Sequence, residues 1–137
     1  MDEIFIKMCA ASDEIQSKFT NEIGNLVFSA RLQMHNLKEP AILMVGRDAL
    51  PFCHGDIWLP RQEQLQKILA ESPFEQLADV WELFFLDENG VPKGAEKPRY
   101  GDSFTSFEQL WLALVMWKKY HKLWDKNKGA WFKVKAK

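Results

Sequence analysis

Two cysteines, Cys9 and Cys53, are all that the 137 residues contain, too few and too far apart for a disulfide framework. The expectation is a protein with reduced thiols, in the cytoplasm. Histidine is nearly as scarce, and His35, His54 and His121 lie far apart. No paired C-x-x-C or H-x-x-x-H supplies the four or so ligands of a zinc site, so no metal is expected. Long apolar runs are missing too. The longest covers residues 110–117 (LWLALVMW), well short of the ~20 residues that cross a bilayer. The opening MDEIFIKMCAASDEIQ has no basic leader ahead of an apolar stretch, so neither secretion nor membrane association is expected. Phosphate-cradling G-x-x-x-x-G-K and G-x-G-x-x-G, the zinc-protease H-E-x-x-H and the nucleophile elbow G-x-S-x-G are all absent. No cofactor is expected, and a binding protein is a better reading than an enzyme.

What the chain does have is a division of charge that its formal −1 conceals. Residues 118–137 carry eight lysines and one acid, a formal +7, interleaved with aromatics. The preceding 117 residues carry ten basic and eighteen acidic side chains, a formal −8. A split of this kind suits a partner surface of opposite sign, whether protein or nucleic acid. It also suits a homodimer that sets acidic body against basic end. Six tryptophans and a hydrophobic content of 47% exclude a disordered chain. At this length one domain with a core rich in large rings is expected.

Apolar residues at helical spacing (Ile4, Met8, Ala11, Ile15, Phe19) predict one amphipathic helix over residues 2–19. Residues 26–33 and 41–45 are short and rich in branched or aromatic side chains, which predicts strands. A helix over 23–37 fits the spacing equally well. Residues 57–59 predict a strand that enters the core at Trp58, and Pro60 suits the first turn of a following helix. Ser72-Pro73-Phe74-Glu75 is a helix-starting cap, with Phe74, Leu77, Ala78, Trp81, Phe84 and Phe85 as the expected buried face. Residues 87–103 hold three glycines and two prolines and read as a long loop. Ser106-Phe107-Glu108-Gln109 caps the last helix. Phe107, Leu110, Trp111, Leu114, His121 and Trp124 share one face of it, and residues up to Trp117 imply burial around most of its circumference. Residues 130–134 predict a closing strand, with the strand of Trp58 as its neighbour. The fold class is therefore α+β, three to four helices packed on a small antiparallel sheet in a single domain.

Cys53-His54-Gly55-Asp56 crowds thiol, imidazole and carboxylate together, but neighbours in extended chain point to opposite sides, and a turn before a strand is the simpler role. Asp87-Glu88-Asn89-Gly90 lacks a ligand position that a calcium loop requires. His121 is expected at the edge of the core with one hydrogen bond. Arg61 to Gln66 form a polar face that suits solvent as well as recognition. Lys118, Lys119, Lys122, Lys126 and Lys128, with Trp131 as a stacking ring, are the candidate nucleic-acid contacts. Lysines at a helix end also complement the helix dipole, and the absence of arginine there weakens the case for phosphate forks. Trp58, Trp81 and Trp124 are candidate pocket-lining residues for a small molecule.

Residues 57–66 (IWLPRQEQLQ) and the segment Ser106-Phe107-Glu108-Gln109-Leu110-Trp111-Leu112-Ala113-Leu114-Val115-Met116, followed by Tyr120, Lys122 and Trp124, form two ordered blocks. Together they resemble a family of small bacteriophage and prophage proteins, mainly from Gram-positive hosts, with the patterns W-[IL]-P-R-Q-[DE]-Q-L-Q and S-x-E-Q-L-W-L-A-x-V-M-x-x-x-Y-x-K-x-W. Lys7-Met8-Cys9 and Glu14-Ile15-Gln16 are similar to the first helix of that family. Residues 30–55 and 87–103 do not match it. The resemblance implies a phage or prophage gene acting in the cytoplasm of the host cell, and it carries over no activity. The expectation is a non-enzymatic accessory protein that binds a host or phage protein, through its acidic body or the 87–103 loop. Nucleic-acid binding through the lysine-rich end is the alternative.

Overall fold

The computed structural model describes residues 3–20, 22, 24–29, 42–44, 56–87, 90–92 and 99–134. His35, Cys53 and His54 lie outside these, as do Lys135, Lys137 and most of the disputed stretch 23–37. The architecture is α+β, and the chain divides into two compact units, Met1–Arg61 and Gln62–Lys137. No helix among the described residues is long and apolar enough to cross a membrane.

The first unit starts with two helices where one was expected, α1 (Glu3–Ala10) and α2 (Asp13–Gln16). Ser12 causes the break. Its hydroxyl donates to the Met8 carbonyl at 2.6 Å, and such a bond competes with continued helix. Phe5, Ile6, Met8, Cys9 and Ile15 are buried, while Ile4, expected on the inner face, is exposed. Strands β1 (Leu26–Phe28), β2 (Ile42–Met44) and β3 (Ile57–Leu59) form an antiparallel sheet in the order β2-β1-β3. Over residues 26–28 the strand alternative therefore holds. Val27 stands opposite Leu43 on one side and Trp58 on the other. Val27 and Trp58 are both buried, and α1 packs against β3.

The second unit holds α3 (Gln62–Leu69), α4 (Pro73–Phe84) and α5 (Phe107–Tyr120). A 3-10 turn at Tyr100–Ser103 and the hairpin β4 (Lys122–Asp125) and β5 (Ala130–Lys133) complete it. Helix α3 begins two residues beyond Pro60 and buries Leu65 and Leu69. Ala70, in the left-handed region at φ 55°, ends it, and Ser72 then caps α4 as expected by accepting the Glu75 N–H at 3.3 Å. The cap of α5 is also as expected: the Ser106 hydroxyl accepts the Gln109 N–H at 3.2 Å. Trp111 to Met116 are all buried, so α5 is the central rod of this unit. Helices α3 and α4 and strand β4 pack on it.

Three expectations need correction here. Helix α5 stops at Tyr120 because His121 turns left-handed at φ 55°, so Trp124 belongs to a strand and not to the helix. The His121 side chain is exposed and is not a core-edge histidine. Strand β5 pairs with β4 in the register Leu123–Phe132 and Trp124–Trp131, whereas β3 pairs with β1. Hence the described strands form two small sheets instead of one. Within 87–103, Tyr100–Ser103 form the 3-10 turn. Leu86 and Pro92 form a bridge, and the buried Tyr100 accepts the Trp124 backbone N–H on its hydroxyl at 2.7 Å.

Candidate protein-docking face

Of the six residues expected to form the buried face of α4, Phe74, Leu77, Ala78 and Trp81 are exposed and Phe84 and Phe85 are half-buried. The inner side of the helix is Gln76 and Leu83, and the Gln76 amide donates to the carbonyls of Gln66 and Glu71 at 3.1 and 3.0 Å. A buried amide satisfied in this way fixes which face turns inward. Phe74, Leu77 and Trp81 are left 86%, 62% and 69% exposed, and Ala78 lies open between them. The spacing is i, i+3, i+4, i+7, which aligns the four side chains in one stripe on the helix. Phe107, also expected inside, is exposed at the start of α5.

The carboxyl end of the stripe is built to stay rigid. The Trp81 ring lies 4.8 Å from that of Phe85, and Phe85 meets Phe84 edge-on at 5.3 Å. Arg99 places its guanidinium 4.9 Å from the Phe84 ring centre and 5.3 Å from that of Phe85. Asp102 holds that guanidinium in a fork: Nε donates to Oδ2 at 2.9 Å and Nη2 to Oδ1 at 3.2 Å. The planar fork and the stacked face use both properties of arginine at once. Trp81 therefore stands on an aromatic platform whose backing is fixed by charge.

On its other side α4 is tied to α5 by Lys118, which reaches Asp79 at 3.2 Å and Glu71 at 3.7 Å. A hydrogen bond with Asp79, burial and the Asp79 charge raise the Glu71 carboxyl above its ordinary range. Burial works to lower the Lys118 ammonium, but the hydrogen bond and charges of the two acids prevail and raise it. Burial also pushes the Tyr100 phenol up.

The residues marked as nucleic-acid contacts have mixed surroundings. Lys118 is engaged by the two acids just described. Lys119, Lys126 and Lys128 are exposed, the last two in the turn of the hairpin. Lys122 and Lys133 stand directly opposite each other across β4 and β5. Trp131, half-buried, lies 5.1 Å from Trp124. The three pocket candidates also differ. Trp58 belongs to the core of the first unit, Trp124 is buried in the hairpin, and Trp81 is exposed. Among the described residues no group of three or more His, Cys, Asp or Glu is placed to hold a metal ion.

The α4 stripe is the feature that reading the sequence misplaced. A signal was nonetheless present: α4 has apolar residues on two sides, at Phe74, Leu77 and Trp81 and again at Val80 and Leu83. A helix lying on one layer of core covers only one of them. No protein-family profile, curated protein or solved structure matches the chain.

Proposed function

We propose that this is a phage or prophage accessory protein, acting in the host cytoplasm without chemistry of its own, which binds another protein through the exposed face of α4. The observation that carries the reading is the run Phe74, Leu77, Ala78, Trp81. Isolated apolar side chains on a surface are ordinary, but an aligned row with a braced tryptophan has the composition of an interface hot spot. Four anchors at this spacing on one helix match the mode in which a helix lies in an apolar groove.

A photoreactive side chain at Ala78, introduced in the full-length protein and activated in the producing cell, tests this. The expected result is one heterotypic adduct, lost when the Phe74→Ser and Trp81→Ser changes are added. The same probe at Lys128 yields no such adduct. No adduct from position 78, or one unaffected by the double change, overturns the reading.

A second reading keeps nucleic acid as the partner. It is favoured by Lys122 and Lys133, opposed on the same side of the hairpin as Trp131, where a phosphate would relieve the repulsion of like charges. It predicts affinity for single-stranded DNA that falls steeply with salt. Absence of binding at low salt removes it.

A further inference from the structure

We infer that the α4 face docks into a groove of a different protein, and that this groove carries lysine or arginine along the edge that meets Glu75 and Glu82. The inference rests on the docking reading above and adds the chemistry of the partner.

Residues Pro73–Phe84 contain three acids, Glu75, Asp79 and Glu82, and no basic residue. With about 100° between successive residues, all three fall on the same side of the stripe. Val80 and Phe84 fall on the other side, next to Leu77. Asp79 forms an ion pair with Lys118, and the Glu82 charge also acts on that ammonium, which leaves Glu75 as the acid farthest from it in this respect. Glu75 is exposed, and its carboxylate accepts the Ser72 hydroxyl at 3.0 Å. The stripe thus has one acidic edge and one apolar edge, and a complementary groove needs one basic rim and one apolar rim.

Area and symmetry argue against a second copy docked stripe on stripe. Phe74, Leu77 and Trp81 offer on the order of 400 Å², about half of the ~800 Å² that each partner contributes to a standard interface. Two convex helices touching along their stripes gain little more. A groove that rises on both sides of α4 gains the flanks as well. A two-fold axis pairing α4 antiparallel with its own copy would also set Glu75 and Glu82 against the same residues of the copy, acid facing acid.

Two designed two-helix hairpins serve as probes, each presenting the same leucine-lined groove, one with lysines along one rim and its twin with glutamates there. Binding to the intact protein is measured at moderate salt, together with its sedimentation. The lysine hairpin is expected to bind at least about tenfold more tightly than its twin, a difference of ~1.4 kcal/mol. Glu75→Gln narrows the gap and Glu75→Lys reverses it. Phe74→Ser with Trp81→Ser abolishes both interactions. Equal affinity for the two hairpins overturns the basic rim and leaves the docking face standing. Binding that survives the double serine change overturns the docking face itself. Failure of both hairpins to bind overturns the partner chemistry, with the crosslink at Ala78 then deciding the face. A wild-type dimer that Trp81→Ser disperses would make the occupant a second copy, against the inference.

Discussion

The side-chain amide of Gln16 pairs with both backbone polar groups of Trp58. The Trp58 N–H donates to Oε1 at 2.8 Å, and Nε2 donates to the Trp58 carbonyl at 2.9 Å and to the Cys9 carbonyl at 3.2 Å. Among the described residues β3 pairs with β1 alone, and on its other side a side chain does what a neighbouring strand would do. Gln16→Ala strands two part-buried backbone groups and is expected to cost about 1–3 kcal/mol in urea unfolding. Gln16→Glu keeps the acceptor and loses the donor, and falls between. A variant as stable as wild type would show that water replaces the amide at no cost.

Two leucines on α4 make opposite predictions. Leu83 is fully buried, and Leu83→Ala is expected to cost about 2–5 kcal/mol. Leu77 is mostly in water, and Leu77→Ala should change stability by no more than about 0.5 kcal/mol. Chemical denaturation of both variants checks the orientation of the helix directly. A large loss at Leu77 would mean that the stripe is covered within the protein itself.

Gly101 is buried against the Phe84 ring, and a Cβ built on it would overlap that ring. Gly101→Ala must therefore displace Phe84, which Arg99 and Phe85 hold from other sides. The expected loss is about 1–3 kcal/mol. Phe84→Leu frees space at the same spot, so the double variant should lose less than the sum of the two singles.

Glu71 gives the stability a pH dependence of definite sign. Its carboxyl is raised in the folded state, so its contribution is fully present below the unfolded value of 4.5 and is lost as pH rises through the raised folded value. Glu71→Gln mimics the protonated form. The variant should match wild type at the acid end of a thermal melting series and become the more stable of the two as pH increases. Lys118 is also raised, and its contribution is lost only when pH climbs through the folded value, above 10.5. Lys118→Met leaves two neighbouring acids without their cation and should cost about 1 kcal/mol at neutral pH.

The helix starts were legible because a cap is a local event. Ser72 and Ser106 need only the next three residues to form their bonds. The burial of Trp58 and of residues 111–116 was legible too, because runs that apolar have nowhere else to go. The orientation of α4 was hidden for the opposite reason. Which side turns inward depends on Gln76 finding the carbonyls of Gln66 on α3 and of Glu71 in the link between the helices, and periodicity has no access to that. The end of α5 was missed because His121 takes a left-handed conformation that a glycine would have announced. The first strand of the hairpin behind it was then read as more helix, while the second was expected as a strand. Among the residues proposed for nucleic acid, counting lysines could not separate Lys118, spent on Asp79 and Glu71, from Lys126 and Lys128 in water.

Of the six indoles, Trp58, Trp111 and Trp124 are buried, Trp117 and Trp131 half-buried, and Trp81 alone has most of its surface in water. That makes the proposed contact visible by light. The red-edge emission of this protein and its quenching by acrylamide belong mainly to one residue, and that residue closes the carboxyl end of the face at issue. A partner closing over α4 would shift the emission to the blue and shield it from quencher, with no label attached.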